Sequence, residues 1–235
     1  MSGVLHQPQA LFSSAVILCH GMESNKESDK IVALAGILSE NGLLTLRFDF
    51  ACANESSGDF ADITYSGEVE DLRAAFDYML QYPVRNVGIF GSSMGGTVAL
   101  LFAGQQEKVA ALVTLAAPLH PEKITEQILS PDALDEWQHC GYVIYHGRRI
   151  NVTMLEDLRT LNVPRAATHL KCPTLVIHGD RDETVPVEEG YELFSLLPAT
   201  KKLSVIQGAD HRFSDPGHLQ QVLDLASGWI ASHLK

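Results

Sequence analysis

The chain has 235 residues, 46% of them hydrophobic, enough for one α/β domain with a substantial core and too few for two ordinary domains plus a linker. With 29 acidic against 17 basic residues, its formal net charge of −12 argues against a nucleic-acid groove or an anionic membrane surface as partner, since both need clustered Lys and Arg. Cys19, Cys52, Cys140 and Cys172 show neither CxxC nor CxxH spacing, so neither a zinc site nor a disulfide framework is expected, and without a basic leader or a long apolar run the default is a reduced, cytoplasmic enzyme.

Short apolar runs alternate with amphipathic stretches along the chain, the pattern of a mostly parallel sheet covered on both faces. Strands are expected near Gly3 to Gln7, Ala15 to Cys19, Leu43 to Phe48, Val87 to Phe90, Ala110 to Leu115, Thr174 to His178 and Leu203 to Ile206. Helices fit Asp29 to Glu40, Ser66 to Gln81, Gly95 to Gly104, Glu188 to Leu196 and Leu219 to His233. In the second of these, Val69, Leu72, Phe76 and Leu80 recur at helical spacing and make a core stripe.

Between Leu115 and Thr174 the rhythm fails, with Pro118 and Pro121 early and Pro164 and Pro173 late, so extra structure is inserted. Tyr142 to His146 and Arg149 to Thr153, joined across Gly147, read as a β-hairpin, and Ile128 to Cys140 and Met154 to Leu161 as flanking helices. The expected organisation is a core of 1–118 and 164–235 with a lid at 119–163. Trp137, Tyr142 and Tyr145 on this lid could line an apolar or aromatic acyl pocket, or could only hold the lid together; both readings stay open.

Three segments carry chemistry. Val87 to Phe90 runs into Gly91-Ser92-Ser93-Met94-Gly95 and then a helix-forming stretch, which sets Ser93 at the tip of a sharp strand-to-helix turn. Ser92 lies off the centre of the Gly-x-Ser-x-Gly motif and reads as packing or a hydrogen-bond partner. Downstream, His178-Gly179-Asp180-Arg181-Asp182 follows an apolar strand, and Gly208-Ala209-Asp210-His211 follows another. The order Ser, Asp, His is chemically informative: a serine hydroxyl needs an imidazole to take its proton, and the imidazole needs a carboxylate to fix its tautomer. No grouping of His, Asp and Glu has metal-ligand spacing.

On the turn Gly91 to Gly95, the acidic loop His178 to Pro186, the segment Gly208 to Phe213 and the early His20-Gly21-Met22, the chain resembles the α/β-hydrolase fold, and within it the small serine esterases of the cinnamoyl/feruloyl-esterase-like group. His20 to Lys26 (HGMESNK) is similar to that group's HG[F]xxNK loop, and Leu46 to Phe50 (LRFDF) to its strand end. The likeness departs at Ala51 to Gly58, where the group commonly reads Arg-Gly-His-Gly-x-Ser-x-Gly, and at the amino end, where the group's outermost first strand is expected to be missing.

The resemblance implies a sheet of about seven strands, mostly parallel, with the first antiparallel to the rest. It also implies Asp182 as the acid in preference to Asp180, which would brace its loop, and His211 as the base. Backbone N–H groups of Met22 and Met94 would form the oxyanion hole. His218 reads as a surface residue, and His20 and His178 as hydrogen-bonding residues that fix loops. The activity implied is a cofactor-free, metal-free serine carboxylesterase acting on short-chain or hydroxycinnamoyl-like esters. Its partner would be a small-molecule ester, and a homodimer is left open. The same triad could instead serve thioesters, lactones or aminoacyl amides; a non-catalytic binder on the same fold is the other class.

Overall fold

The computed structural model describes residues 1–198 and 200–234. Gly3–His6 (β1), Ser14–Cys19 (β2), Leu44–Phe48 (β3), Asn86–Ser92 (β4) and Val109–Leu115 (β5) lie in one sheet; so do two later strands, Thr174–Gly179 and Lys201–Ile206. Between β5 and those two, the hairpin Tyr142–Tyr145 (β6) and Arg148–Asn151 (β7) forms a sheet of its own, so the later pair are β8 and β9. The seven strands run in the order β1-β3-β2-β4-β5-β8-β9, all parallel except β1, which pairs antiparallel with β3.

Side-chain alternation along each strand builds two cores. On β2, Ala15, Ile17 and Cys19 point to one face and Val16 and Leu18 to the other, and all five are buried, as strands covered on both sides require. Helices Asp29–Glu40 (α1) and Pro216–Leu234 (α9) close the second face, α1 through Ile31, Leu34, Ala35 and Leu38 at helical spacing. Tyr65–Met79 (α2) and Met94–Ala103 (α3) close the first. Thr64 caps α2 by accepting from Gly67 N at 3.1 Å. The α2 stripe Val69, Leu72 and Phe76 continues through buried Met79, whereas Leu80 is turned out to solvent: a final step of three residues, not four, keeps the stripe on the core side.

The insertion after β5 contains Pro121–Ile128 (α4), Pro131–Cys140 (α5), the β6–β7 hairpin and Val152–Leu158 (α6); Val163–Thr168 (α7) then leads back to β8, and Val187–Leu196 (α8) joins β8 to β9. The expected single helix from Ile128 to Cys140 is divided because a residue before proline is driven to extended backbone: Ser130, before Pro131, has ψ 156° and caps α5 through Ala133 N. The hairpin turns through His146 and Gly147, both at positive φ, as a tight two-residue turn demands. Cross-contacts tie the insertion to the body near the start of α2. The Arg148 guanidinium stacks 3.3 Å from the Phe60 ring centroid, Asn151 Nδ2 donates to Asp62 Oδ1 at 2.7 Å, and Ser66 N donates to Asp157 Oδ2 at 3.0 Å. Among the described residues, no helix is long and apolar enough to cross a membrane.

Candidate active site

The site stands at the carboxyl ends of β2, β4, β8 and β9, where an open parallel sheet brings its loops together. Ser93 follows β4 with φ 54° and ψ −125°, a strained conformation for a residue with a Cβ. Its neighbours explain how the turn is so sharp. A Cβ added at Gly91 would collide with the Gly95 carbonyl, and one at Gly95 with the carbonyls of His20 and Cys19. Only glycine lets these backbones approach, and Ser93 N donates to Leu115 O at 2.8 Å to hold the tip in place.

Three side chains from three loops converge. Ser93 Oγ lies 3.0 Å from His211 Nε2, and His211 Nδ1 lies 2.8 Å from Asp182 Oδ2. The carboxylate assigns the tautomer: Nδ1–H donates to Asp182, leaving the Nε2 lone pair toward the serine hydroxyl. Burial alone would raise the Asp182 pKa; hydrogen bonds from His178 and His211, the charge of His211 and the Val185 N–H outweigh it and hold the carboxyl well below the usual range. Its other oxygen accepts from Thr184 N at 2.9 Å and Val185 N at 2.8 Å. Asp180 is turned elsewhere, its Oδ1 accepting from Gly208 N at 2.5 Å and so joining the acid loop to the histidine loop. Ser92 Oγ accepts from Lys30 Nζ at 3.2 Å.

The N–H groups of Met22 and Met94 have no intramolecular acceptor among the described residues and flank the Ser93 turn, Met94 at the first position of α3. The loop carrying Met22 is set by His20, whose Nδ1–H donates to Gly21 O at 2.8 Å while Nε2 accepts from Phe50 N at 3.2 Å. Burial lowers the His20 pKa, as a neutral ring between one donor and one acceptor requires. Further along, Lys26 Nζ bridges Asp49 Oδ2 at 2.7 Å and Glu55 Oε2 at 2.6 Å. The buried Asp49 also accepts from Asn54 Nδ2, Glu55 N and Ser56 Oγ, which ties down 51–58, the stretch whose sequence departs from the group it resembles; Cys52 and Asn54 take positive φ there.

Two cavities meet at Met22 and Tyr145. One, of about 100 Å³, runs under the insertion between Tyr65, Trp137, Val143, Tyr145 and Met154. The other, of about 330 Å³, opens over Ser93 and His211 and is bordered by Lys30 and Arg212. Trp137 and Tyr145 line cavity surface, with Trp137 also packed into the core, but Tyr142 does not: it faces outward with the Arg149 guanidinium 4.2 Å from its ring centroid. On a strand only every second residue shares a face, so the partner of Tyr145 is Val143, which the sequence reading passed over. Tyr65, Lys30 and Arg212 were also missed. Strand parity could have found Val143; the other three carry no local signal.

The family model described as an alpha/beta hydrolase domain matches residues 12–169. The chain belongs to the α/β-hydrolase family. The chain superposes on the structure of Est1E from Butyrivibrio proteoclasticus with ferulic acid bound at a TM-score of 0.89, 25% identical, covering 99% of this chain and 94% of that one. It is 23% identical to the bovine mitochondrial palmitoyl-protein thioesterase ABHD10, over 88% of this chain and 70% of that protein. It is also 27% identical over 223 residues to a Mycobacterium tuberculosis protein provisionally described as a phosphoribosyl transferase. That match covers 93% of this chain but only 41% of the relative's length.

Proposed function

We propose that this hydrolase is a serine carboxylesterase acting on short-chain or aromatic, hydroxycinnamoyl-like esters, with 119–163 as its lid. The observation that carries the reading is the unbroken chain from Ser93 Oγ through His211 to Asp182 at 3.0 and 2.8 Å, beneath two unsatisfied backbone donors. Ser93 Oγ attacks the ester carbonyl as His211 Nε2 takes its proton. The oxyanion forms against the N–H groups of Met22 and Met94; losing one such donor typically costs about 10²- to 10³-fold in turnover. His211 returns the proton to the leaving alcohol, and water, activated by the same imidazole, cleaves the acyl-enzyme. The reaction as written uses no cofactor or metal.

The apolar cavity between Trp137, Val143 and Tyr145 supports a short or flat acyl group, as does the likeness to Est1E, whose structure holds ferulic acid. Similarity to ABHD10 supports a second reading, cleavage of acyl thioesters by the same steps. Hydrolysis of matched butyryl and feruloyl esters, a butyryl thioester and a long-chain acyl thioester tests both. The first reading predicts the highest kcat/KM on the two oxygen esters; a preference of tenfold or more for the thioesters would replace it, and absence of turnover on all four would sink both.

A further inference from the structure

In a chain with 29 acidic and 17 basic residues, cations have many carboxylates to pair with, and several do so: Lys26 bonds Asp49 and Glu55, and Arg47 bonds Glu27. At the cavity over Ser93 this pairing stops. Lys30, from the first turn of α1, reaches in with its Nζ bonded only to Ser92 Oγ, and Arg212, the residue after His211, borders the same space. Among the described residues neither has a carboxylate oxygen within 4.0 Å. Two further carboxylates come near without closing the site. Glu23 also lines the cavity, but its oxygens lie 3.0 and 3.2 Å from His146 Nδ1, and Asp210 is taken up by Ser214 N and Oγ at 2.8 and 2.7 Å. Burial draws the Lys30 pKa down to about 8, with the charges of Asp210 and Asp182 raising it and Arg212 lowering it, so it remains mostly cationic at neutral pH.

The two cavities divide the substrate. Met22 and Tyr145 line both, so an acyl group seated in the apolar one leaves the ester oxygen facing the other. An acidic protein repels anions at long range, and leaving the half-buried Lys30 ammonium without a carboxylate beside the reacting atoms costs free energy unless something meets it; Arg212, at the exposed rim of the same cavity, adds a second cation without a carboxylate partner. We infer that the cavity bordered by Lys30 and Arg212 is a leaving-group site selective for an anion: the alcohol or thiol half of the substrate carries a carboxylate or phosphate close to the scissile bond. This rests on the esterase reading above and names the substrate half that reading leaves open. Lys30 donates to one oxygen of the anion and Arg212 supplies a planar fork for two.

The test compares butyrate release from four esters that share the acyl group: (butyryloxy)acetate, 2-(butyryloxy)ethyl phosphate, neutral (butyryloxy)acetamide and cationic butyrylcholine. The expected order of kcat/KM is anion over neutral over cation, with an anion-to-neutral ratio of about tenfold or more that shrinks in high salt. The better of the two anions identifies the source of the charge. Lys30→Met and Arg212→Gln should each cut that ratio by about tenfold, the size expected for one charge-assisted bond. Because the ratio is formed within each variant, a general loss of activity does not affect it, and Arg212 is exposed enough to replace without touching the core. Cleavage of the acetamide as fast as the two anions, or a ratio unmoved in both variants, would overturn the inference alone. No cleavage of any of the four would overturn the esterase reading with it.

Discussion

Asp182 Oδ2 is shared by two histidines: it lies 2.8 Å from His211 Nδ1 and 3.4 Å from His178 Nε2, whose ring is fully buried and also donates to Val185 O at 2.9 Å. The acid is thus anchored from behind by His178 while it orients His211 in front.

Asp182→Asn should lower kcat by about 10⁴-fold with the fold intact, because an amide no longer enforces the His211 tautomer. Asp180→Asn disturbs only the link to Gly208 and should cost far less. Steady-state kinetics on variants with native circular dichroism decide between them; the opposite ranking would move the acid to Asp180.

Glu68 is 2% exposed with neither oxygen bonded, and burial, with the nearby charge of Asp71, pushes its pKa well above the usual range. The native state therefore keeps a proton that the unfolded chain releases near pH 4.3, so the parent loses stability as pH rises from there toward the raised native value. Glu68→Gln does not titrate, and its stability relative to the parent should grow by about 1.4 kcal/mol per pH unit across that window, then level off. Denaturant melts from pH 4 to 8 measure this. A difference independent of pH would mean that Glu68 is ionised in the folded protein.

Tyr145→Ala should shift the preference between aryl and short alkyl esters by about 1–3 kcal/mol in transition-state free energy, the range for a lost pocket contact. Tyr142→Ala, on the outward face of the same strand, should leave it unchanged. Equal shifts in both would place Tyr142 at the pocket after all.

Much of this was legible in the sequence because steric demands are local. The Ser93 turn needs glycine at 91 and 95, which the chain displays, and the inner strands β2, β5 and β8 show their burial as nearly continuous apolar runs. The division of helix at Ser130-Pro131 was legible too, and was missed. What was not legible arises from convergence. Lys30 and Arg212 look like ordinary surface charges until α1 and the His211 loop bring them to one cavity, and Tyr65 reaches the acyl side only through the docking of the insertion. The Tyr142 reading failed differently: an aromatic residue was weighed by its type when the pleat had already assigned its face.

Gly95→Ala should test the turn itself. The added methyl meets backbone carbonyls that cannot rotate away, so thermal unfolding should show a loss of about 1–3 kcal/mol and activity should fall with the displaced Met94 N–H. A variant as stable and active as the parent would mean that the loop after β2 can yield.

The central claim is that Ser93 is an activated nucleophile. Reaction with a fluorophosphonate followed by intact-mass analysis and peptide mapping measures this directly. One adduct per chain on the Ser93 peptide, abolished in Ser93→Ala and strongly slowed in His211→Ala, is the predicted result. Adducts of equal yield in the parent and in Ser93→Ala, or none in the folded parent, would contradict the account.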